Sequence, residues 1–290
     1  MEFVSVHGGH SGQFCRHAVD SLEDIVRTYI RRGYTWVGIT EHAPGLSQEL
    51  LYPDEQKMGL TPQLMWENFS LYMRECRRLQ KKYASEIQLY AAVEIEVYSG
   101  YEIFLQRLLQ AFCPDYIVGS LHFVNDLCID YSKERYDKAA RAAGGLDALY
   151  CEYFDMQFAM LQKFRPAVVG HFDLIRIFDP EYRWRLQKAE IFSRITRNLA
   201  LIREYGLILD YNTRALKKGA AEPYVSEDIL DLCREMNIAV VPGDDSHGCA
   251  DIHQYTENAI EILRRKGFDL NWPRPQLYQW QAAESAADRC

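Results

Sequence analysis

Residues 35–44 read TWVGITEHAP: a run of strand length, a histidine just past it, and a proline that prevents the extended segment from continuing in a sheet. Residues 35–40 are mostly β-branched or aromatic, which suits a strand buried on both faces. Before them stands SLEDIVRTYIRRG (21–33), with apolar residues at helical spacing, Ser21 and Asp24 in a capping-box pattern, and Gly33 where a helix should stop. A helix feeding a buried strand that ends in a potential ligand is one unit of a parallel β/α protein, and the unit repeats outward from here in both directions.

The strand-length runs fall at 3–7, 35–40, 87–94, 116–121, 167–171, 207–212 and 238–243, each followed by a loop and usually a helical pattern. Seven such units predict an α/β fold, a closed or nearly closed barrel, as one domain over residues 1–270. A tail over 271–290, with Pro273 and Pro275, is expected to end in a frayed QAAESAADRC. Thr61-Pro62 opens a long helix, and Ser226 opens EDILDLCREM with acids in its first turn. The connections 43–60 and 124–145 exceed the ~12–15 residues usual for a plain loop and are candidate covers for a site.

With 290 residues and 48% hydrophobic content the chain is long enough for a large core, which excludes overall disorder. Lys+Arg 33 against Asp+Glu 41, a net charge of -8 without a block of either sign, argues against binding along nucleic acid or on an anionic membrane. No stretch approaches the ~18 apolar residues of a membrane span. The eight cysteines form no CxxC pair, and MEFVSVHGG lacks the basic flank and apolar run of a secretory signal, so reduced thiols in the cytoplasm are expected. Serine-nucleophile elbows, Walker loops and dinucleotide fingerprints are missing from the sequence.

The eight histidines carry the functional reading. All but His253 lie at or just beyond a strand end: VSVHGGH (4–10, with His17 further on), GITEH (38–42), VGSLH (118–122), VVGH (168–171) and VPGDDSH (241–247). Glu94 and Asp245 end two of the same strands. One strand-terminal histidine alone is better explained as a hydrogen-bonded residue, but a parallel barrel opens all these ends on one face. The constellation therefore predicts convergent nitrogen and oxygen ligands of the kind zinc, manganese and iron accept. His253 is read as a solvated loop residue, and Cys15 as a small buried side chain.

The segments HSGQFCRHA (10–18), TEHAP (40–44), VEIEVYSGYE (93–102), YIVGSLHFV (116–124), VGHFDLIRIF (169–178), LDYNTRALKKG (209–219) and GDDSHG (243–248) resemble, in order, the motif series of the polymerase-and-histidinol-phosphatase (PHP) superfamily, most closely its histidinol-phosphate phosphatase branch. The resemblance implies a distorted (β/α)7 barrel, three divalent metal ions and hydrolysis of L-histidinol phosphate, a small-molecule phosphate ester of histidine biosynthesis. It would give the first metal His10, Glu94 and Asp245 with another first-strand histidine, the second Glu94, His122 and His171, and the third His17, His42 and His247. One departure stands out: the family's His-x-His is here His7-Gly8-Gly9-His10, with Gly8 at the first family histidine. Residues i and i+3 of a regular strand face opposite ways, so either a bulge with positive φ at the glycines swings His7 back, or the first metal lacks one protein ligand.

Three cations against two carboxylates leave a positive surplus, which asks for an anionic substrate. Arg176, Arg214 and Arg16 are candidates to fork onto its phosphate, with Lys217 and Lys218 behind them. Asp245 and His247 are the candidate catalytic residues, although the resemblance also makes them ligands; Asp244 and Tyr98 are spare polar neighbours, and Asp173 is expected to orient a ligand. Glu96, Asp210 and Glu222 are available to a cationic amino alcohol. The rival readings are a phosphatase for another small ester, a degenerate metal-binding regulator and, disfavoured by the acidic chain, a proofreading exonuclease.

Overall fold

A computed structural model describes residues 2–280. Its strands are β1 (Phe3–Ser5), β2 (Tyr34–His42), β3 (Gln88–Glu96), β4 (Ile117–Ser120), β5 (Phe123–Val124), β6 (Leu127–Cys128), β7 (Val168–Val169), β8 (Ile208–Asn212) and β9 (Val240–Gly243). Seven of them lie in the order β1-β2-β3-β4-β7-β8-β9, every neighbouring pair parallel, and β5 and β6 form a separate hairpin. Beyond Ser5 the first strand meets the last: Val6 N–H donates to Pro242 O at 3.0 Å, and Asp245 N–H to His7 O at 2.9 Å. The seven expected units are all present, and the result is a distorted (β/α)7 barrel.

The strands hold together because both of their faces are apolar. Trp36, Val37, Ile39, Ala91, Val93, Val118 and Leu209 are buried between the ring interior and the surrounding helices, in one contiguous core. Gly38 shows how tightly the ring is filled. A methyl group there would fall 1.5 Å from the Tyr116 hydroxyl, which donates to Val6 O at 2.6 Å.

Helix starts follow the local chemistry. Ser21 caps Leu22–Arg31 by accepting from Asp24 N–H at 3.1 Å, and Thr61 caps Pro62–Lys82 by accepting from Leu64 N–H at 3.3 Å. Ser226 takes the capping position of Glu227–Glu235, but its hydroxyl makes no capping bond; its N–H instead donates to Asp173 at 3.0 Å. The two long connections are not open loops. Residues 43–60 contain a 3-10 turn at Gln48–Leu50 and the helix Pro53–Lys57, and residues 124–145 contain the helix Lys133–Ala143, capped by Ser132. The segments touch each other where the Tyr131 hydroxyl donates to Asp54 at 2.8 Å.

Residues 271–280 cross the end of the barrel opposite the histidines. The indole N–H groups of Trp272 and Trp280 donate to Glu2 O and Pro114 O at 3.0 and 2.8 Å, and the Arg274 guanidinium lies 4.7 Å from the Trp36 ring. QAAESAADRC lies outside the described residues. Among the described residues no helix is long and apolar enough to cross a membrane.

Candidate metal centre

Glu94, near the end of β3, is the hub of the barrel mouth. One carboxylate oxygen lies 2.9 Å from His171 Nε2 and 3.4 Å from His122 Nε2; the other lies 3.1 Å from His42 Nδ1 and 3.4 Å from His7 Nε2. Parallel pairing dictates this, because the register sets His42 of β2 directly beside Glu94. Asp245 faces His10, with Oδ1 3.2 Å from Nε2.

His7 and His10 reach the same cluster, but not by the expected route. Neither Gly8 nor Gly9 has a positive φ; the pleat ends at Ser5 and the chain bends at Val6 and His7, so strand alternation no longer governs the spacing. The glycines are needed for close approach instead. A Cβ on Gly8 would lie 2.3 Å from Gly38 O, and one on Gly9 2.7 Å from an Ile25 methyl. Two carboxylates absent from the sequence reading as orienting groups hold the rings: Asp210 lies 2.8 Å from His7 Nδ1, and Glu41 lies 3.2 Å from His10 Nδ1. Position gave a signal for both, since Glu41 adjoins His42 and Asp210 lies two residues from the end of β8.

His17 Nε2 stands 3.3 Å from His42 Nε2, and its ring stacks on His247 at 5.1 Å. Among the described residues, three sets have donor atoms lying within 4.8 Å of one another: His7, His10 and Asp245; His7, Glu94 and His171; and His10, Cys15, His42 and His247. Cys15, read from sequence as core, thus borders the cluster. These residues fit divalent cations on their own chemistry. The Nε2 atoms of His7 and His10 are buried without a hydrogen-bond partner, and His122 and His171 bring their Nε2 atoms within 3.2 Å. Nitrogens so placed need a proton or a cation between them, and nitrogen with carboxylate oxygen is a set that zinc, manganese and iron bind.

The electrostatics have the same sign. Burial opposes ionisation of Glu94, yet the charges of His7, His122 and His42 and the bond from His171 hold its carboxyl well below the usual range. His10 is also penalised by burial, but the carboxylates of Asp245 and Glu41 beside it push it up to about 9. Burial and the neighbouring His42 and His10 push His17 down to about 3, and burial, only partly offset by Glu94 and Asp130, takes His122 to about 4. Without metal, His10 carries a proton at neutral pH that a bound cation must displace. His7 is raised too: burial opposes its charge, but Glu94, Asp245 and Asp210 outweigh it, so metal affinity should rise about tenfold per pH unit for each proton released, the His10 step ending near pH 9. Calorimetric titration near pH 7 in buffers of different ionisation enthalpy should show at least one proton leaving; buffer-independent heats would contradict this.

A cavity of about 680 Å³ opens over the cluster, lined also by Arg16, Arg176, Arg214, Lys218, Tyr52, Asp54, Asp130 and Tyr131. Both long connections therefore contribute to its wall. The three arginines differ in freedom. Arg176 is buried, donates to Asp173 at 3.0 Å and Pro223 O at 2.6 Å, and stacks 4.5 Å from the Tyr224 ring. Arg214 donates to Asp251 at 2.8 Å but keeps a buried Nε without a partner. Arg16 makes no hydrogen bond or ion pair among the described residues.

Several expectations are corrected. Asp173 binds Arg176 and Ser226, not a ligand ring. Asp210 is committed to His7, and Glu222 accepts from the Tyr182 hydroxyl and the Glu227 N–H, so neither is free for substrate. Glu96 accepts from the Tyr52 hydroxyl at 3.0 Å, within 3.5 Å of His122 Nδ1. Asp244 accepts from Ser5 and Tyr29 hydroxyls beneath the mouth, Tyr98 packs against Phe123, Lys217 pairs with Asp251, and His253 packs 4.6 Å from the Phe3 ring at the far end.

A parallel seven-stranded barrel with histidines and carboxylates converging at the carboxyl ends of its strands defines a class of metal-binding domain. Residues 8–214 match the PHP domain, and the chain belongs to that family. It is 36% identical over 249 residues to the probable histidinol-phosphatase of Schizosaccharomyces pombe, covering 84% of this chain and 80% of that one. The hisK protein of Listeria monocytogenes superposes with a TM-score of 0.78 at 26% identity, covering 88% of this chain and 99% of that one. The histidinol phosphate phosphatase of Lactococcus lactis, crystallised with zinc, L-histidinol and phosphate, shares the fold with a TM-score of 0.70 at 18% identity, covering 92% of this chain and 94% of that one.

Proposed function

We propose that this chain is a cytoplasmic metal-dependent phosphomonoesterase that hydrolyses L-histidinol phosphate to L-histidinol and phosphate in histidine biosynthesis. The observation that carries the reaction class is Glu94 set among four imidazoles, with buried ring nitrogens that have no hydrogen-bond partner. The relationship to the S. pombe protein supports the substrate.

We assign three divalent ions: one to His7, His10, Glu94 and Asp245, one to Glu94, His122 and His171, and one to His17, His42 and His247. Divalent cations in such a site supply Lewis acidity toward the phosphoryl group and hydroxide near neutral pH. Arg16, Arg176 and Arg214 orient the phosphate, the buried Arg176 being fixed in advance and Arg16 having its whole donor fork available. Proton handling at the leaving oxygen is assigned to Asp245, with His247 beside it. His247 Nδ1 lies 3.0 Å from the Asp245 carbonyl oxygen, a contact that, with N–H on Nδ1, leaves Nε2 as the nitrogen that would hold the third cation. Tyr52 and Tyr131, from the two long connections, shield the cavity, and Asp54 and Asp130 in the same lining suit the cationic end of an amino alcohol.

The test is phosphate release from L-histidinol phosphate by protein of measured metal content, beside other phosphomonoesters and a chelated control. Chelator-sensitive turnover with kcat/KM of ~10⁴ M⁻¹s⁻¹ or above and a clear preference for this ester is expected. Turnover of other esters alone would overturn the substrate, and full metal loading without turnover would overturn the activity.

A further inference from the structure

We propose that Cys15 is a thiolate donor at the metal position formed by His42 and His247, and that it tunes this position toward zinc-like cations; the inference rests on the metal reading above. Cys15 is buried in the turn between β1 and the first helix, fixed by its N–H bond to Ser11 O at 2.8 Å. Its sulfur and the donor atoms of His10, His42 and His247 all lie within 4.8 Å of one another. Ligands sharing one zinc at ~2.0–2.3 Å stand roughly 3–4.5 Å apart, so small adjustments of these side chains bring them to a common centre. A second observation is independent of the cysteine: the Nε2 atoms of His17 and His42 face one another at this position, 3.3 Å apart, a pair of ring nitrogens that needs a proton or a cation between them.

The chemistry is one of exchange. The thiol proton passes to solvent as the cation takes its place, with no change in oxidation state. A soft thiolate favours zinc, cobalt and iron over manganese, whereas imidazole and carboxylate alone discriminate weakly. His17, two residues on and 3.3 Å from His42 by their Nε2 atoms, is already assigned to this position and stays when the sulfur is lost. Loss of the sulfur should therefore shift the position's preference without removing the position.

Cobalt(II) reconstitution of the full chain tests this. Bound cobalt gives visible d–d absorbance with any ligands, and a near-ultraviolet sulfur-to-cobalt band only with thiolate. That band is expected in the parent and in Cys128→Ser, and should be lost in Cys15→Ser and Cys15→Ala, with thermal unfolding confirming that each variant is folded. The preference for zinc over manganese at one position should also fall about tenfold or more. Visible cobalt absorbance without the sulfur band, or a band that survives in Cys15→Ser, would overturn the proposal while leaving the metal centre standing. Absence of all cobalt absorbance would overturn both.

Discussion

Replacing Glu94 with glutamine should lower kcat/KM on L-histidinol phosphate by at least about 10³-fold, some 4 kcal/mol of transition-state stabilisation, and reduce bound metal. The substitution keeps the shape and exchanges one carboxylate oxygen for a neutral amide nitrogen. It acts on the one carboxylate that faces His7, His42, His122 and His171 together, at 2.9 to 3.4 Å. An amide also turns an N–H2 group toward some of those nitrogens, so each must become an acceptor or lose its contact. Two proposed metal positions share this side chain, so the loss should exceed that from any single peripheral ligand. Metal analysis and steady-state kinetics on the same preparation check it; activity within tenfold of the parent at full metal content would be incompatible with the hub role.

Gly8→Ala should be the most damaging methyl group in the first strand segment. Its Cβ would stand 2.3 Å from the Gly38 carbonyl oxygen and 2.6 Å from a Val37 methyl, and the Gly8 N–H already donates to that carbonyl at 2.9 Å. Backbone cannot rotate aside, so the segment and β2 must part. We expect a loss of about 3 kcal/mol, at the upper end for overpacking, and a melting temperature lower by about 6–12 °C. Because His7 precedes Gly8, its distance from Glu94 should also grow, and the chain should lose metal affinity as well as stability. An unchanged melting temperature would show that the two strands are not clamped here.

The ring of strands was legible because burial on both faces writes itself as short apolar runs. The cluster was legible because a parallel barrel sends every strand end to one mouth. What sequence could not supply was local geometry. The facing of His7 depends on a bend at Val6 and His7 that no periodicity encodes, and regular pleating would point it away. The helix Lys133–Ala143 was hidden because it buries only Tyr136, Ala139 and Ala140 and has no broad apolar stripe. Arg176 read as a loop cation, yet tertiary contacts with Asp173 and Pro223 decide how much of its guanidinium is spoken for. Cys15 resembled core filling because spacing along the chain says nothing about how close its sulfur comes to His247.

The seam between the first and last strands also sets an order of events in the life of the chain. His7 and His10 leave the ribosome before the partners they meet across the seam, Asp245 and Ser246, which follow only after every intervening helix. No fragment ending before β9 can hold the full donor set, so a shortened or stalled product should be inert rather than partly active. Once the seam forms, a cation held at the proposed first position would act as a clasp on the whole ring. Its binding energy would then add to the free energy of global unfolding, so metal supply would set how long a newly made chain escapes proteolysis.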